Sequence, residues 1–180
     1  MAALAYAQLR AMLWARPGAR VHAIIDGRVH PGLPGLLEAA PLDGWDCLQR
    51  GALAPDAQAQ APYIAELREA SPFTDQLLAE GTRNHPGWGF VMVSTKPLLA
   101  IRELCRSLDD ALLPDGTRLR WRWYDPELLE ALLPELTLTQ LDQVFAEGQA
   151  IVLPTAGAWH WHEVVDGLLA STTRELMRAG

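Results

Sequence analysis

The spacing of apolar residues along the chain predicts short helices and strands that alternate over most of its length. Tyr6, Leu9 and Leu13 recur at helical intervals, which predicts a first helix over residues 2–15. Short apolar runs that are typical of strands follow at residues 21–26, 45–48, 62–67 and 88–94, the third of them a candidate edge strand. Helices are expected at residues 36–40, 72–80 and from Pro97 onward, with a solvated loop at 51–61. The alternation predicts a mixed α/β fold with a central β-sheet and helices packed on it.

The second half of the chain opens with a turn at residues 114–117 and a strictly alternating segment. Its alternation predicts a strand with apolar side chains on one face and arginines on the other: Leu119, Trp121 and Trp123 against Arg118, Arg120 and Arg122. Asp125 is then expected to cap a helix that begins at Pro126. Thr137 and Gln140 fit the capping box of a further helix.

The C-terminal residues predict two short strands and a last helix. The strands are expected at residues 150–153 and 159–163, and the helix carries an apolar face of Val165, Leu168, Leu169 and Leu176. We therefore expect one domain over residues 1–180. Its core lies at about 20–150, and a small, mostly helical C-terminal annex covers about 126–180.

The composition of the chain indicates which partners and which compartment are expected. The 180 residues include 15 Lys and Arg against 22 Asp and Glu, which gives a formal charge of −7. Nucleic-acid binding depends on the opposite balance, so we expect no nucleic-acid partner. No apolar run is long enough for a membrane span, and the N-terminus lacks the pattern of a signal peptide. Cys47 and Cys105 are too few for a disulfide framework. A cytoplasmic protein without a membrane partner is expected.

Searches for catalytic motifs give no candidate. The chain has no phosphate-binding loop of the G-x-x-x-x-G-K-[ST] type, no dinucleotide fingerprint and no G-x-S-x-G nucleophile elbow. Neither cysteine lies in a nucleophile signature. We therefore predict no catalytic residues and no cofactor.

The pair His160 and His162 is the strongest candidate for metal chemistry. In a strand, the spacing H-x-H places both imidazoles on one face, whereas Glu163 points to the other. A third ligand would have to come from elsewhere in the chain, from His22, His30 or His85. The favoured interpretation is two half-exposed histidines between inward-facing tryptophans, so no metal site is predicted. A metal-dependent hydrolase using His160 and His162 remains the alternative.

Arginines and tryptophans supply the other candidate residues. Arg122 precedes Asp125 at the corner between strand and helix, where a buried pair would lock the turn, and we expect Arg122, Tyr124, Asp125 and Pro126 to hold this corner. Aromatic and arginine side chains are also frequent anchors in protein interfaces. The candidate partner-binding residues are Arg118, Arg120, Trp159, His160 and Trp161.

Several segments, in order, resemble one family. They are Ile24–Gly27, Cys47–Gly51, Ala61–Leu67, Trp88–Ser94, Arg102–Leu104, the Pro114-Asp115-Gly116 turn, the block Trp121-Arg122-Trp123-Tyr124-Asp125-Pro126, and Leu128–Pro134. This series is similar to the adaptor-chaperones of bacterial type VI secretion, a family first described as a domain of unknown function. The resemblance extends from about residue 20 to 150.

The resemblance implies a role without catalysis. Such proteins bind a toxic effector in the cytoplasm and help to load it onto the VgrG spike of the secretion apparatus. The implied partners are therefore a secreted effector and a VgrG-type spike protein. An immunity protein that neutralises a toxin belongs to the same binding class and is the second alternative.

Overall fold

The computed structural model describes residues 2–112, 115–155 and 157–175. In chain order the helices are α1 (Ala2–Leu13), α2 (Leu33–Ala39), α3 (Pro55–Gln60), α4 (Pro72–Asn84), α5 (Leu98–Ser107), α6 (Pro126–Leu132) and α7 (Leu138–Val144), with a 3-10 turn at Leu133–Glu135. The strands are β1 (Arg20–Asp26), β2 (Gly44–Cys47), β3 (Pro62–Leu67), β4 (Gly89–Ser94), β5 (Asp110–Leu112), β6 (Arg118–Arg120), β7 (Ala150–Pro154), β8 (Ala158–Val165) and β9 (Leu168–Glu175). The predicted turn at 114–117 is described only from Asp115, since Pro114 lies outside the described residues.

Seven of the described strands form one antiparallel sheet. Its order is β2-β3-β1-β4-β7-β8-β9, and β5 pairs with β6 in a separate hairpin. The predicted mixed α/β fold with a central sheet and packed helices is confirmed. β3 lies between β2 and β1 and is buried along its whole length, so it is not the edge strand that the sequence allowed.

Each face of the sheet carries its own apolar core, because side chains alternate along a strand. In β1, Val21, Ala23 and Ile25 pack with residues of α1, α2 and α4. Ile24 faces the other side and packs with residues of α5, α6 and α7. The sheet is therefore the middle layer between two groups of helices.

The arginine-rich strand is shorter than predicted. β6 ends at Arg120, and Leu119 is exposed, whereas Trp123 is fully buried. The indole N–H of Trp121 donates to the Leu108 carbonyl at 2.7 Å, and that of Trp123 donates to Asp109 Oδ1 at 2.9 Å. Although regular strand pairing ends at Arg120, Leu119, Trp121 and Trp123 all line one groove.

The predicted last helix is wrong. Residues 168–175 form β9, which pairs with β8 across the turn Asp166-Gly167. Both turn residues have positive φ, 52° and 77°, as a two-residue hairpin of type I′ requires. The described residues from 150 onward, 150–155 and 157–175, extend the central sheet, so among the described residues the annex is helical only over α6, α7 and the 3-10 turn between them. Leu176, the last apolar position of the predicted helix, lies outside the described residues.

Smaller differences concern helices and cysteines. The predicted loop at 51–61 contains the exposed helix α3. Asp125 and the Thr137–Gln140 capping box begin α6 and α7 as predicted. Both cysteines are free thiols. Among the described residues, no helix combines the length and the hydropathy that a membrane crossing needs.

Candidate functional site

The corner, residues 122–126, joins β6 to α6 and is held by three different interactions. The Asp125 carboxylate accepts from the backbone N–H groups of Glu127 and Leu128 and caps α6. The backbone N–H of Asp125 donates to the Arg122 carbonyl at 3.0 Å, which closes the turn. Pro126 occupies the first turn of the helix, where its missing N–H costs no hydrogen bond.

Arg122 does not pair with Asp125, so the predicted buried pair is wrong. Its guanidinium Nη2 instead donates to Oδ2 of Asp26 at the end of β1. The other carboxylate oxygen of Asp26 accepts from the backbone N–H of Arg28 at 2.9 Å. Since Asp125 is already used as the helix cap, the arginine is free to fasten the corner to the central sheet.

Tyr124 completes this arrangement. Its ring contacts Trp123 edge to face, with centroids 5.9 Å apart, and the Arg122 guanidinium carbon lies 5.9 Å from its centroid. Burial, with the nearby Asp26 carboxylate adding to it, raises the pKa of Tyr124. The phenol therefore stays neutral at physiological pH and acts as a packing surface for the arginine.

The five candidate partner-binding residues divide into two groups. Arg118 and Arg120 are exposed on β6 as expected, although Arg118 lies 3.8 Å from the carboxylate of Asp110. Trp159 is only 3% exposed and belongs to the core on the α1 side of the sheet, with Trp161 packed partly against it. Trp159 is therefore a core residue and not the exposed partner-binding side chain that was expected, and its strand β8 lies between β7 and β9.

An apolar groove of about 510 Å³ opens between the β5–β6 hairpin and the segment from α6 to α7. Its walls include Leu108, Leu119, Trp121, Leu132, Leu136 and Val144, and its floor is formed by β4 and β7. The polar side chains at the groove are those of Ser107, Gln140, Gln143 and Asp110. Arg118 and Arg120 flank Leu119 on β6 and are exposed, but neither lines the groove, because side chains alternate along a strand.

His160 and His162 lie on one face of β8, as their spacing predicts, and both contact Glu130 of α6. His160 Nδ1 is 2.6 Å from Glu130 Oε1, and His162 Nε2 is 2.9 Å from Oε2. The second ring nitrogen of His162 lies 2.8 Å from Ser171 Oγ on β9. We call Glu130, His160 and His162 the triad.

The triad differs in its third member from the metal site that the alternative interpretation required. His22, His30 and His85 do not join it; a glutamate does. Burial acts to raise the pKa of Glu130, but hydrogen bonds from His160 and His162 outweigh burial and lower it. The carboxylate is therefore anionic, and each of its oxygens faces one imidazole. Glu163, on the opposite face of β8, pairs with Arg16.

A second buried polar group lies on β1. His22 is fully buried, and neither ring nitrogen has a hydrogen-bond partner among the described residues. Its Nε2 is 3.6 Å from Glu66, which itself pairs with Arg20 at 2.9 Å. Burial, reinforced by the Arg20 charge, lowers the pKa of His22 to about 4. The imidazole is thus neutral near pH 7, and its approach to Glu66 is not an ion pair there.

Sequence reasoning missed two residues that the structure makes central. Asp26 ends a buried strand and precedes Gly27, and a charged residue at such a position is the signal that indicates a buried ion pair. Glu130 carries no comparable signal, since it is one of several glutamates in the helical segment. Only the packing of α6 over β8 brings it to the histidines.

Comparison with known proteins identifies one relationship. Residues 21–143 match the model of a family described as "Domain of unknown function (DUF4123)". Neither the curated proteins nor the solved structures contain a match. The matched range begins in β1 and includes the corner, Glu130 and most of the groove, but ends before β7. Since it covers more than half of the chain, the protein belongs to the DUF4123 family.

Proposed function

We propose that this protein is a cytoplasmic adaptor that binds a type VI secretion effector and helps to load it onto a VgrG-type spike. The observation that carries the proposal is the apolar groove, one wall of which is the hairpin that also carries the exposed Arg118 and Arg120. The groove has the size of a pocket that anchors apolar side chains of a partner. The role needs recognition of a polypeptide and no catalytic step.

The order of sequence motifs adds support. The block Trp121–Pro126 follows the turn at Asp115-Gly116, as in the adaptor-chaperones that the chain resembles. In the fold, this block supplies Trp121 and Trp123 to the groove and Arg122 to the buried pair with Asp26. The most distinctive motif therefore builds one wall of the groove and fastens it to the sheet.

The proposed occupant is an amphipathic segment of the effector with acidic residues beside its apolar anchors. Its apolar side chains would contact Leu119, Trp121 and Leu132, which removes apolar surface from water on both partners. Carboxylates that reach past the edge of the groove would meet Arg118 and Arg120 on the other face of β6, whose planar guanidinium groups bind carboxylates in a bidentate manner. Nucleic acid and membrane are not proposed partners.

Co-purification with a matched pair of variants tests the groove. Leu119 is 47% exposed on the groove wall, and Leu99 is 59% exposed on α5, outside the groove. We expect Leu119→Glu to weaken binding of the effector encoded beside the gene by about tenfold or more, equivalent to about 1.4 kcal/mol. Leu99→Glu should bind like the wild type. Equal binding by both variants would remove the groove from the proposal.

A second experiment separates an adaptor from an immunity protein. The adaptor proposal predicts that deleting the gene abolishes secretion of the effector, whereas effector activity inside the producing cell stays unchanged. An immunity protein predicts the reverse, with self-intoxication of the deletion strain and normal secretion. Secretion undiminished by the deletion would overturn the proposal.

Reversing the charge of Arg118 and Arg120 tests whether the partner is acidic. Arg118→Glu with Arg120→Glu should lower the association rate for the effector and reduce its dependence on salt concentration, because attraction between exposed charges is screened by ions. The control is the same charge reversal, Arg83→Glu, at an exposed arginine on α4. An unchanged salt dependence would contradict the acidic partner.

A further inference from the structure

The triad is not among the residues that line the groove, and the proposed adaptor role does not use it. We propose that Glu130, His160 and His162 form a binding site for a divalent transition-metal cation of the Zn²⁺ class. The site does not depend on the adaptor role, since it follows from the donor atoms and their positions.

The donor atoms are close to the positions that a metal ion requires. One ligand atom from each of Glu130, His160 and His162 lies within 4.8 Å of the other two, and His160 Nδ1 and His162 Nε2 are 2.6 Å and 2.9 Å from the Glu130 carboxylate. Ligands at 2.0–2.1 Å from a tetrahedral ion are about 3.3 Å apart. Glu130 is partly exposed, and in the proposed site its carboxylate turns outward to admit an ion between it and the two rings.

The two histidines present their nitrogens from a rigid element. β8 is paired on both sides, with β7 and with β9, and its alternation directs both rings towards α6. Strand geometry therefore fixes the separation of the two imidazoles before any ion binds. Binding sites built on regular elements are more precise than sites on loops.

Ser171 supplies the outer contact that metal-bound histidines usually have. Its hydroxyl oxygen lies 2.8 Å from His162 Nδ1. When Nε2 binds an ion, Nδ1 carries the proton and donates it to this oxygen, which fixes the tautomer and the ring orientation. This contact is independent of Glu130 and points to His162 Nε2 as a ligand atom.

The donor set and its exposure indicate the class of ion. Two imidazole nitrogens and one carboxylate suit Zn²⁺, Co²⁺ or Ni²⁺ better than Mg²⁺ or Ca²⁺, which prefer oxygen ligands. His162 is buried, whereas His160 and Glu130 are partly exposed. The solvent side leaves a fourth position for water or for a donor atom of another molecule.

Zinc binding to the protein without a histidine tag tests the site directly. The wild type, stripped with chelator and then loaded with Zn²⁺, should retain one equivalent after dialysis and gain thermal stability. Glu130→Gln and His160→Gln should lose this equivalent. With Co²⁺, the wild type should show the intense visible absorption of a tetrahedral complex, and the two variants should not.

The stacked histidines His30 and His85, whose ring centroids are 4.3 Å apart, serve as the control because they lie outside the triad. His30→Gln with His85→Gln should keep the full equivalent of zinc. Ser171→Ala retains all three ligands and should weaken zinc binding by about 10- to 100-fold. A partial loss of this size is expected when a residue that positions His162 is removed, whereas a variant that does not fold would lose zinc binding altogether.

Three results would overturn the site. They are no retained zinc in the wild type, equal zinc in wild type and Glu130→Gln, or loss of zinc only in the His30–His85 control. Circular dichroism of each variant shows whether its fold is intact. If His160→Gln does not fold, Glu130→Gln and Ser171→Ala decide the outcome.

Discussion

At the residue scale, the corner is held to the central sheet by the carboxylate of Asp26, which lies far from the corner in the sequence. Asp26 is 1% exposed and accepts from both Arg122 and the Arg28 backbone, whereas the Arg122 side chain is 40% exposed. If the ion pair is broken, water can form hydrogen bonds with the exposed part of the arginine. Water cannot easily reach the buried carboxylate of Asp26. Removing the arginine therefore leaves a buried anion with one hydrogen bond fewer.

We expect Arg122→Ala to lower the free energy of unfolding by about 1–3 kcal/mol, less than for a fully buried pair because the arginine is partly exposed. Urea unfolding measures the change, and the exposed Arg120→Ala should change it by less than about 0.5 kcal/mol. A double-mutant cycle with Asp26→Asn should show coupling between the two residues. Additive effects in that cycle would mean that the ion pair does not stabilise the corner.

His22 gives the protein a stability that depends on pH. Burial lowers its folded-state pKa to about 4, so protons bind the unfolded chain, with its ordinary pKa of about 6.5, more readily than the folded one. The neutral imidazole makes its full contribution to the free energy of unfolding above about pH 6.5, and this contribution is lost as the pH falls towards 4. We expect a decrease on the order of 1–2 kcal/mol between about pH 7 and pH 5.

The variant His22→Gln cannot titrate and should show a shallower decrease in the free energy of unfolding over the same range. Burial also lowers the pKa of His30, so His30→Gln should remove a further part of the slope. Denaturant unfolding at a series of pH values measures both. A His22→Gln profile parallel to that of the wild type would show that His22 is not the titrating group.

At the element scale, the pairing of β1 with β4 depends on a glycine at the start of β4. Gly89 has φ of 138°, and a Cβ added there would lie 1.8 Å from the Ile24 carbonyl oxygen of β1. The oxygen belongs to the backbone and the Cβ is attached directly to the backbone, so neither atom can move without separating the strands. Gly87, two residues earlier, also has positive φ, 75°, but open space around the added atom.

We expect Gly89→Ala to reduce the free energy of unfolding by at least about 3 kcal/mol, or to prevent folding. Gly87→Ala should cost only the left-handed backbone conformation, about 1–2 kcal/mol. Thermal or urea unfolding of the two variants gives the comparison. Similar losses in both would show that the close approach of β4 to β1 is not required.

At the scale of the whole molecule, the two edges of the sheet are fastened differently. Arg106 of α5 donates to the carbonyls of Cys47 and Leu48 at the β2 edge, and Arg102 pairs with Asp46. β9 is mostly exposed and hydrogen-bonds to β8 alone within the sheet. The two edges should therefore open with different free energies.

We expect hydrogen-bonded amides to exchange most slowly in β1 and β4, faster in β2, and fastest in β9, because local opening is easiest where few contacts are broken. Amide hydrogen exchange resolved by residue checks this order. Protection of β9 equal to that of β1 would contradict it.

Local signals predicted the features whose causes lie within a few residues. The caps at Asp125 and Thr137 depend on backbone groups two or three positions away, so their residue types were sufficient to place α6 and α7. The buried strand at 88–94 was evident from its continuous apolar run, and the common face of His160 and His162 from strand alternation. The residues in these interactions lie only a few positions apart, so the spacing of residue types is enough to predict them.

Tertiary structure decided what depends on distant partners. Asp26 is 96 positions from Arg122, and Glu130 is 30 from His160, so no local pattern pairs them. Val165, Leu168 and Leu169 fit one face of a helix equally well, and pairing with β8 made them part of a hairpin. The sequence by itself determined the fold class and the caps of α6 and α7. Sheet order and helix packing determined the ion pair, the groove and the triad, because these contacts exist only once the layers have assembled.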